Sequence, residues 1–193
     1  EVISSNPLQE ESARRVIEKI KDKYEGVSVS WYTKDAWYAQ QEDDGTRYET
    51  SITNIKPTLK KYDEIDYTEP IYKIMIVGTN MKNFDKVVNI IRDMNLEGVS
   101  ANHSNYNYFE ITNKVAVKSF GIEYIKQRDS LEKEELLAFG DGENDLKMFE
   151  TVGTSVAMGN ANDKVKSVAT YTTLSNEEDG IVHGMKYVVN DLL

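Results

Sequence analysis

The 193-residue chain has no cysteine. This excludes a disulfide framework and any thiolate metal site. It has two histidines, His103 and His183, which stand isolated without the spacing of metal ligands and read as structural. No apolar run approaches the length that crosses a bilayer, so no membrane partner is expected. There are 23 Lys and Arg against 33 Asp and Glu, a net charge of −10. The charge is spread without long single-sign runs, which argues against holding nucleic acid through bulk electrostatics. Repeats and low-complexity segments are absent. So are an initiator Met and the basic-then-apolar start of a signal peptide. These absences together predict a cytoplasmic protein whose chain begins partway through a longer one. What remains is ordinary globular composition, 39% hydrophobic and 29% charged, enough for one large or two small domains.

The most informative stretch runs from Glu135 to Ala161. Leu136 to Phe139 is continuously apolar, as in a short strand buried on both faces of a parallel sheet. Gly140 stops it, and Asp141, Gly142, Glu143, Asn144 and Asp145 lead into a helix-permissive segment, Leu146 to Glu150. A second strand, Ser155 to Met158, ends on Gly159, Asn160 and Ala161, and a third, Thr170 to Thr173, ends near Ser175. Open α/β sheets bind ligands at such strand ends, where helix amino ends also welcome anions. Three of them would line one crevice, with Gly142 and Gly159 letting backbone approach a ligand. Taken alone, Asp141 and Asp145 are equally a helix N-cap and a first-turn acid. Ser175 with Glu178 forms a capping box, opening a last helix with Ile181, Met185, Val188, Val189 and Leu192 inward.

Upstream, Pro7 to Tyr24 reads as a helix with Ala13, Val16, Ile17 and Ile20 on one face. Val27 to Thr33 and Ala36 to Gln40 read as a hairpin. The acids Glu42, Asp43 and Asp44 read as a hairpin or loop cluster, and Pro57 as opening a short helix over Leu59 to Tyr62. Ile71 to Val77 is a strand and Asn83 to Met94 a helix with Phe84, Val87, Val88 and Ile91 inward. Gly98 to His103 and Tyr106 to Thr112 form a second hairpin turning at Ser104 and Asn105. Trp31, Tyr32, Trp37 and Tyr38 admit two readings, stacking on a sugar ring or packing within the sheet. Strand alternation favours packing.

Gly140 to Phe149 (GDGENDLKMF), Val156 to Ala161 (VAMGNA) and Asn176 to Ile181 (NEEDGI) together resemble the carboxy-terminal motifs of the haloacid dehalogenase superfamily. They are most similar to the Cof-type sugar-phosphate phosphatases. The resemblance implies an α/β fold. Residues 113–193 would form the carboxy-terminal half of a Rossmann-like core, and residues 1–112 an inserted α+β cap that selects substrate. Tyr108 to Ile125 resembles the family's return strand, lysine motif and helix, with Val117, Phe120, Ile122 and Ile125 among apolar neighbours. Lys118 is the matching lysine, followed by Ser119 where the family has glycine. The implied chemistry is Mg²⁺-dependent hydrolysis of a small phosphate ester. Lys118 and Asn144 would contact phosphate together with Gly142 and Asn160, Asp141 would bind the metal, and Asp145 would hold its water shell or orient Lys118. In the cap, Tyr106, Tyr108 and Trp37 are the candidates for touching substrate.

The family's nucleophile, the first Asp of a D-x-D motif, has no counterpart. Glu42 to Thr46 (EDDGT) imitates its tail, but Glu42 occupies the nucleophile's place and Tyr38 to Gln41 is too polar for a buried core strand. The expectation is a chain that lacks the amino-terminal core and does not turn over by itself. The parent would be a phosphatase working through an aspartyl-phosphate; the alternative is a binding or scaffold remnant that has lost its nucleophile. Uncovered sheet edge and apolar surface further predict low stability or pairing with a second copy.

Overall fold

The computed structural model describes residues 2–21 and 24–192, the side chains of 187 and 189–192 aside. The chain folds as two compact units, Glu1–Ala116 and Val117–Leu193. The fold is mixed α/β with a parallel sheet in the second unit.

In the first unit, period-2 alternation sorts side chains to two faces of a six-stranded sheet. Its strands are β1 (Val27–Tyr32), β2 (Trp37–Ala39), β3 (Thr58–Leu59), β4 (Lys73–Gly78), β5 (Val99–Asn105) and β6 (Tyr108–Asn113), in the order β3-β2-β1-β4-β6-β5. All pairs are antiparallel except β2 with β3. Register places Trp31 opposite Ile74, which faces Ile111, and Val29 opposite Ile76, which faces Phe109. These rows join the helices α1 (Glu10–Ile20) and α3 (Met81–Asp93) in one core. The apolar stripes Ala13, Val16, Ile17, Ile20 and Phe84, Val87, Val88, Ile91 are buried as their helical spacing requires. The four sheet-packing aromatics stay within this unit. Trp31 stacks on Tyr38 with centroids 5.7 Å apart, and Tyr32 on Trp37 at 6.0 Å.

Several local expectations give way. Pro7 does not open α1; Pro7 and Leu8 precede it, tied by Leu8 N donating to Ile71 O. The stretch read as a loop of acids starts a helix, α2 (Asp44–Thr53). Asp43 and Thr46 cap it reciprocally, Asn54 ends it in the left-handed region, and Gly45 lies flat against Ser28 and Val77. No helix covers Leu59 to Tyr62: residues 58–59 are β3, and a 3-10 turn follows at Tyr62–Glu64. The second hairpin turns at Tyr106 and Asn107, two residues later than expected, because a bulge at His103 to Asn105 shifts register.

The second unit contains α4 (Lys118–Asp129), β7 (Leu137–Gly140), α5 (Leu146–Thr151), β8 (Thr154–Ala157), α6 (Asp163–Val168), β9 (Tyr171–Thr172) and α7 (Gly180–Leu192). The three strands are parallel in the order β7-β8-β9, with Gly140 beside Ala157 and Ala157 beside Thr172. Their carboxyl ends therefore emerge side by side. Ala138, Phe149, Val152, Ala157, Ala161 and Val165 form the buried cluster. β7 is not sealed on both faces, since Leu137 and Phe139 are half-buried. In α4, Phe120 and Ile125 are exposed, and only Ile122 reaches the cluster. In α7, Val188 is buried but Ile181 and Met185 face outward. The inward surface there is glycine: a Cβ on Gly184 would lie 2.5 Å from the Phe139 ring. Val189 and Leu192 lie outside the residues whose side chains are described. Among the described residues, no helix is long and apolar enough to cross a membrane.

Candidate active site

Asp145 is the centre of the site. β7 ends at Gly140, and the chain passes through Asp141 and Gly142 into a 3-10 turn, Glu143–Asp145, that folds the Asp145 carboxylate back beneath the strand end. There one oxygen accepts the backbone N–H groups of Asp141 at 3.0 Å and Gly142 at 3.1 Å, and the other accepts Lys118 Nζ at 2.6 Å. Asp145 is 1% exposed. Gly140 makes this fold-back feasible, because a Cβ there would stand 2.6 Å from Asp145 Cβ. Burial pushes the Asp145 carboxyl up. The bonds from Lys118, Gly142 and Asp141 outweigh it and hold the group below the usual carboxylate range. The pair is thus a buried carboxylate that fixes an ammonium whose own side chain is half open to solvent.

The neighbouring strand ends join the same constellation. Asn160, two residues beyond Met158, donates from Nδ2 to Asp141 Oδ2 at 2.8 Å, and its Oδ1 accepts Asn176 N at 3.1 Å. Asn176 starts the 3-10 turn Asn176–Glu178, which Ser175 and Glu178 cap as the sequence indicates. One chain of hydrogen bonds therefore runs from the start of α4 through the ends of β7 and β8 to the turn after β9. Glu143 adds an ion pair with Lys164 of α6, which holds the Glu143 carboxyl down. Sequence reasoning missed Lys164, because a lone lysine on a short helix carries no pattern.

The structure brings Lys118, Asp141, Asp145 and Asn160 together. Asn144 is exposed, with Oδ1 so close to Gly142 that a Cβ there would meet it at 2.3 Å. The Gly142 N–H is already bound to Asp145. Gly159 makes room for protein, not ligand: a Cβ there would lie 2.6 Å from Ser175 N. His183 bonds Thr173 Oγ1 through Nδ1 at 3.1 Å, and His103 packs edge-on to Phe109 at 5.1 Å, so both histidines have structural contacts.

The three aromatic candidates belong to the first unit and differ in character. Trp37 is 8% exposed and stacked on Tyr32, with no partner for its indole N–H among the described residues. Tyr108 donates to Glu49 at 2.6 Å, and burial together with that carboxylate pushes its phenol up. Tyr106 is 73% exposed at the hairpin turn.

Among the described residues no three His, Asp or Glu side chains gather to hold a metal by themselves. Asp141 is exposed, and of its two oxygens only Oδ2 has a partner among the described residues. One accessible hard-oxygen carboxylate suits Mg²⁺, which takes one or two carboxylates beside waters and substrate oxygens.

A family described as haloacid dehalogenase-like hydrolase matches residues 1–185. A phosphatase-named protein of Haemophilus influenzae is 31% identical over 156 residues, 80% of this chain and 58% of that protein. The chain thus spans little more than half the length of that relative. The crystal structure of TM0651 from Thermotoga maritima matches with a TM-score of 0.82 and 28% identity, over 96% of this chain and 69% of that one. A haloacid dehalogenase-like hydrolase from Bacteroides thetaiotaomicron matches with a TM-score of 0.84 and 25% identity, over 97% of this chain and 70% of that one.

Proposed function

This chain belongs to the haloacid dehalogenase-like hydrolase family, and from that premise we propose that it carries the phosphate-binding and metal-binding part of a phosphatase acting on a small phosphate monoester, a sugar phosphate among the candidates. The observation that carries the reading is one buried carboxylate, Asp145, joining the Lys118 ammonium to the backbone that presents Asp141.

Hydrolysing a phosphate monoester brings a dianion to an anionic nucleophile, so positive charge must be fixed before the substrate arrives. Lys118 supplies it, and its ion pair removes the rotamer search that a free lysine would undergo. Asp145, with both oxygens engaged, suits orienting Lys118 better than coordinating a metal. Asn160 positions Asp141 by occupying one of its oxygens. The exposed Asn144 amide is a donor for a phosphate oxygen. Magnesium, when bound at Asp141, would offset the charge of the dianion. Because the sequence contains no D-x-D, the nucleophilic carboxylate is assigned to a segment outside this chain. There an Asp oxygen would form a bond to phosphorus as the ester oxygen leaves, and water would then cleave the acyl phosphate.

A phosphate-ester turnover assay on the purified chain tests this reading. The expected result is no hydrolysis with Mg²⁺ present. Metal-dependent hydrolysis that survives Asp141→Ala would overturn it.

A further inference from the structure

On the first unit, the face of the sheet that carries α1 holds a groove of about 760 Å³. That is within the roughly 300–1,000 Å³ range of small-molecule sites. It lies between one stripe of α1, the residues following β2, and the stretch around the 3-10 turn Tyr62–Glu64. Its base is apolar. Ile17, Tyr62 and Ile65 all pack onto the main core, and Tyr62 rests against Trp31 with centroids 5.9 Å apart. Around this base stand two ammonium groups, Lys21 and Lys61, two carboxylates, Glu18 and Asp63, and the two carboxamides of Gln40 and Gln41. Arg14 also lines the groove but is already committed to Glu10 and to the Tyr67 ring.

Two features describe the polar groups of this groove. Opposite charges surround one hollow, yet among the described residues none of the six polar side chains forms an ion pair or hydrogen bond with another residue. Gln40 is moreover half-buried, with no partner for its amide among the described residues. Glu18, Lys21, Gln41, Lys61 and Asp63 are exposed, so these heads stand open to a ligand around the apolar base.

The balance of donors and acceptors indicates the ligand class. Two cations against two carboxylates give no net preference for an anion or a cation. Pure donors, pure acceptors and amides that do both match hydroxyl groups, each of which donates and accepts at once. An apolar base beneath a polar rim matches the C–H face and hydroxyl edge of a pyranose ring. We propose that this groove binds a small neutral carbohydrate, a mono- or disaccharide, at a site separate from the one built on Lys118 and Asp141.

Saturation-transfer NMR on the full chain with galactose, N-acetylglucosamine and maltose, none of them phosphorylated, tests the proposal. The expected result is transfer to the ring protons of at least one sugar. A Gln41→Ala/Asp63→Asn variant, its fold checked by circular dichroism, should lose about tenfold in affinity, with Lys118→Ala binding unchanged. No transfer from any of the three sugars overturns the proposal. So does transfer that persists at full strength in the double variant, or transfer abolished by Lys118→Ala, which would move binding to the phosphate site.

Discussion

At the scale of single residues, Asp145 and Lys118 are expected to separate cleanly when mutated. Asp145→Ala leaves the N–H groups of Asp141 and Gly142 without their acceptor under a nearly buried position. The expected loss is about 2–3 kcal/mol of stability, measured by denaturant unfolding. Lys118→Met removes an ammonium that is half open to solvent but deprives the buried Asp145 carboxylate of its ion-pair partner while leaving its two backbone bonds. Its stability cost should therefore be about 1–2 kcal/mol, below that of Asp145→Ala, while phosphate binding is lost. Equal destabilisation by both would contradict the hub role of Asp145. The same pair fixes a pH dependence. The folded Asp145 lies below its ordinary value, so its contribution is fully present above about pH 4 and is lost as pH falls through the lower folded value. Unfolding curves of wild type and Asp145→Asn should therefore converge on acidification and diverge at neutral pH. Asp141 and Asp145 were legible in the sequence because glycine and acid chemistry at a strand end is local. That Asp145 turns inward to grip Lys118 was legible only as one of two roles the family resemblance implies, because it depends on contacts between residues 27 positions apart.

Among the elements, strands and long amphipathic helices were legible wherever burial follows a simple period. The Phe84, Val87, Val88, Ile91 stripe of α3 is an example, and Phe84→Ala should cost about 3–5 kcal/mol because that ring is fully buried. A cost near zero in thermal unfolding would show that α3 does not anchor this core. Helix α2 escaped because its sequence, DGTRYETSIT, has no apolar face; its start is fixed by the Asp43 and Thr46 cap and by a glycine lying against the sheet. Helix α7 misled for the opposite reason. Its visible apolar residues, Ile181 and Met185, point outward while Gly180 and Gly184 make the close approach, and glycine is silent in a hydrophobic periodicity. Gly184→Leu is thus expected to displace Phe139 and destabilise the second unit, whereas Ile181→Ser should be tolerated. Circular dichroism melts of the two variants distinguish them.

For the molecule as a whole, the second unit pairs three short strands and leaves β7 with a neighbour on one side only among the described residues. Exposed Ile181, Val182 and Met185 on α7 add apolar surface. Unpaired strand edges and such patches favour association. Sedimentation velocity should accordingly show mass rising with concentration, and a dilute, stable monomer with sharp cooperative unfolding would oppose this expectation. The central claim is that Lys118 and Asp141 form a phosphate site that works with magnesium. It is tested most directly by calorimetric titration of orthophosphate into the chain with and without Mg²⁺. The account predicts binding that strengthens when Mg²⁺ is present and disappears in both Lys118→Ala and Asp141→Asn. Phosphate binding that is indifferent to Mg²⁺ and to both substitutions would contradict it.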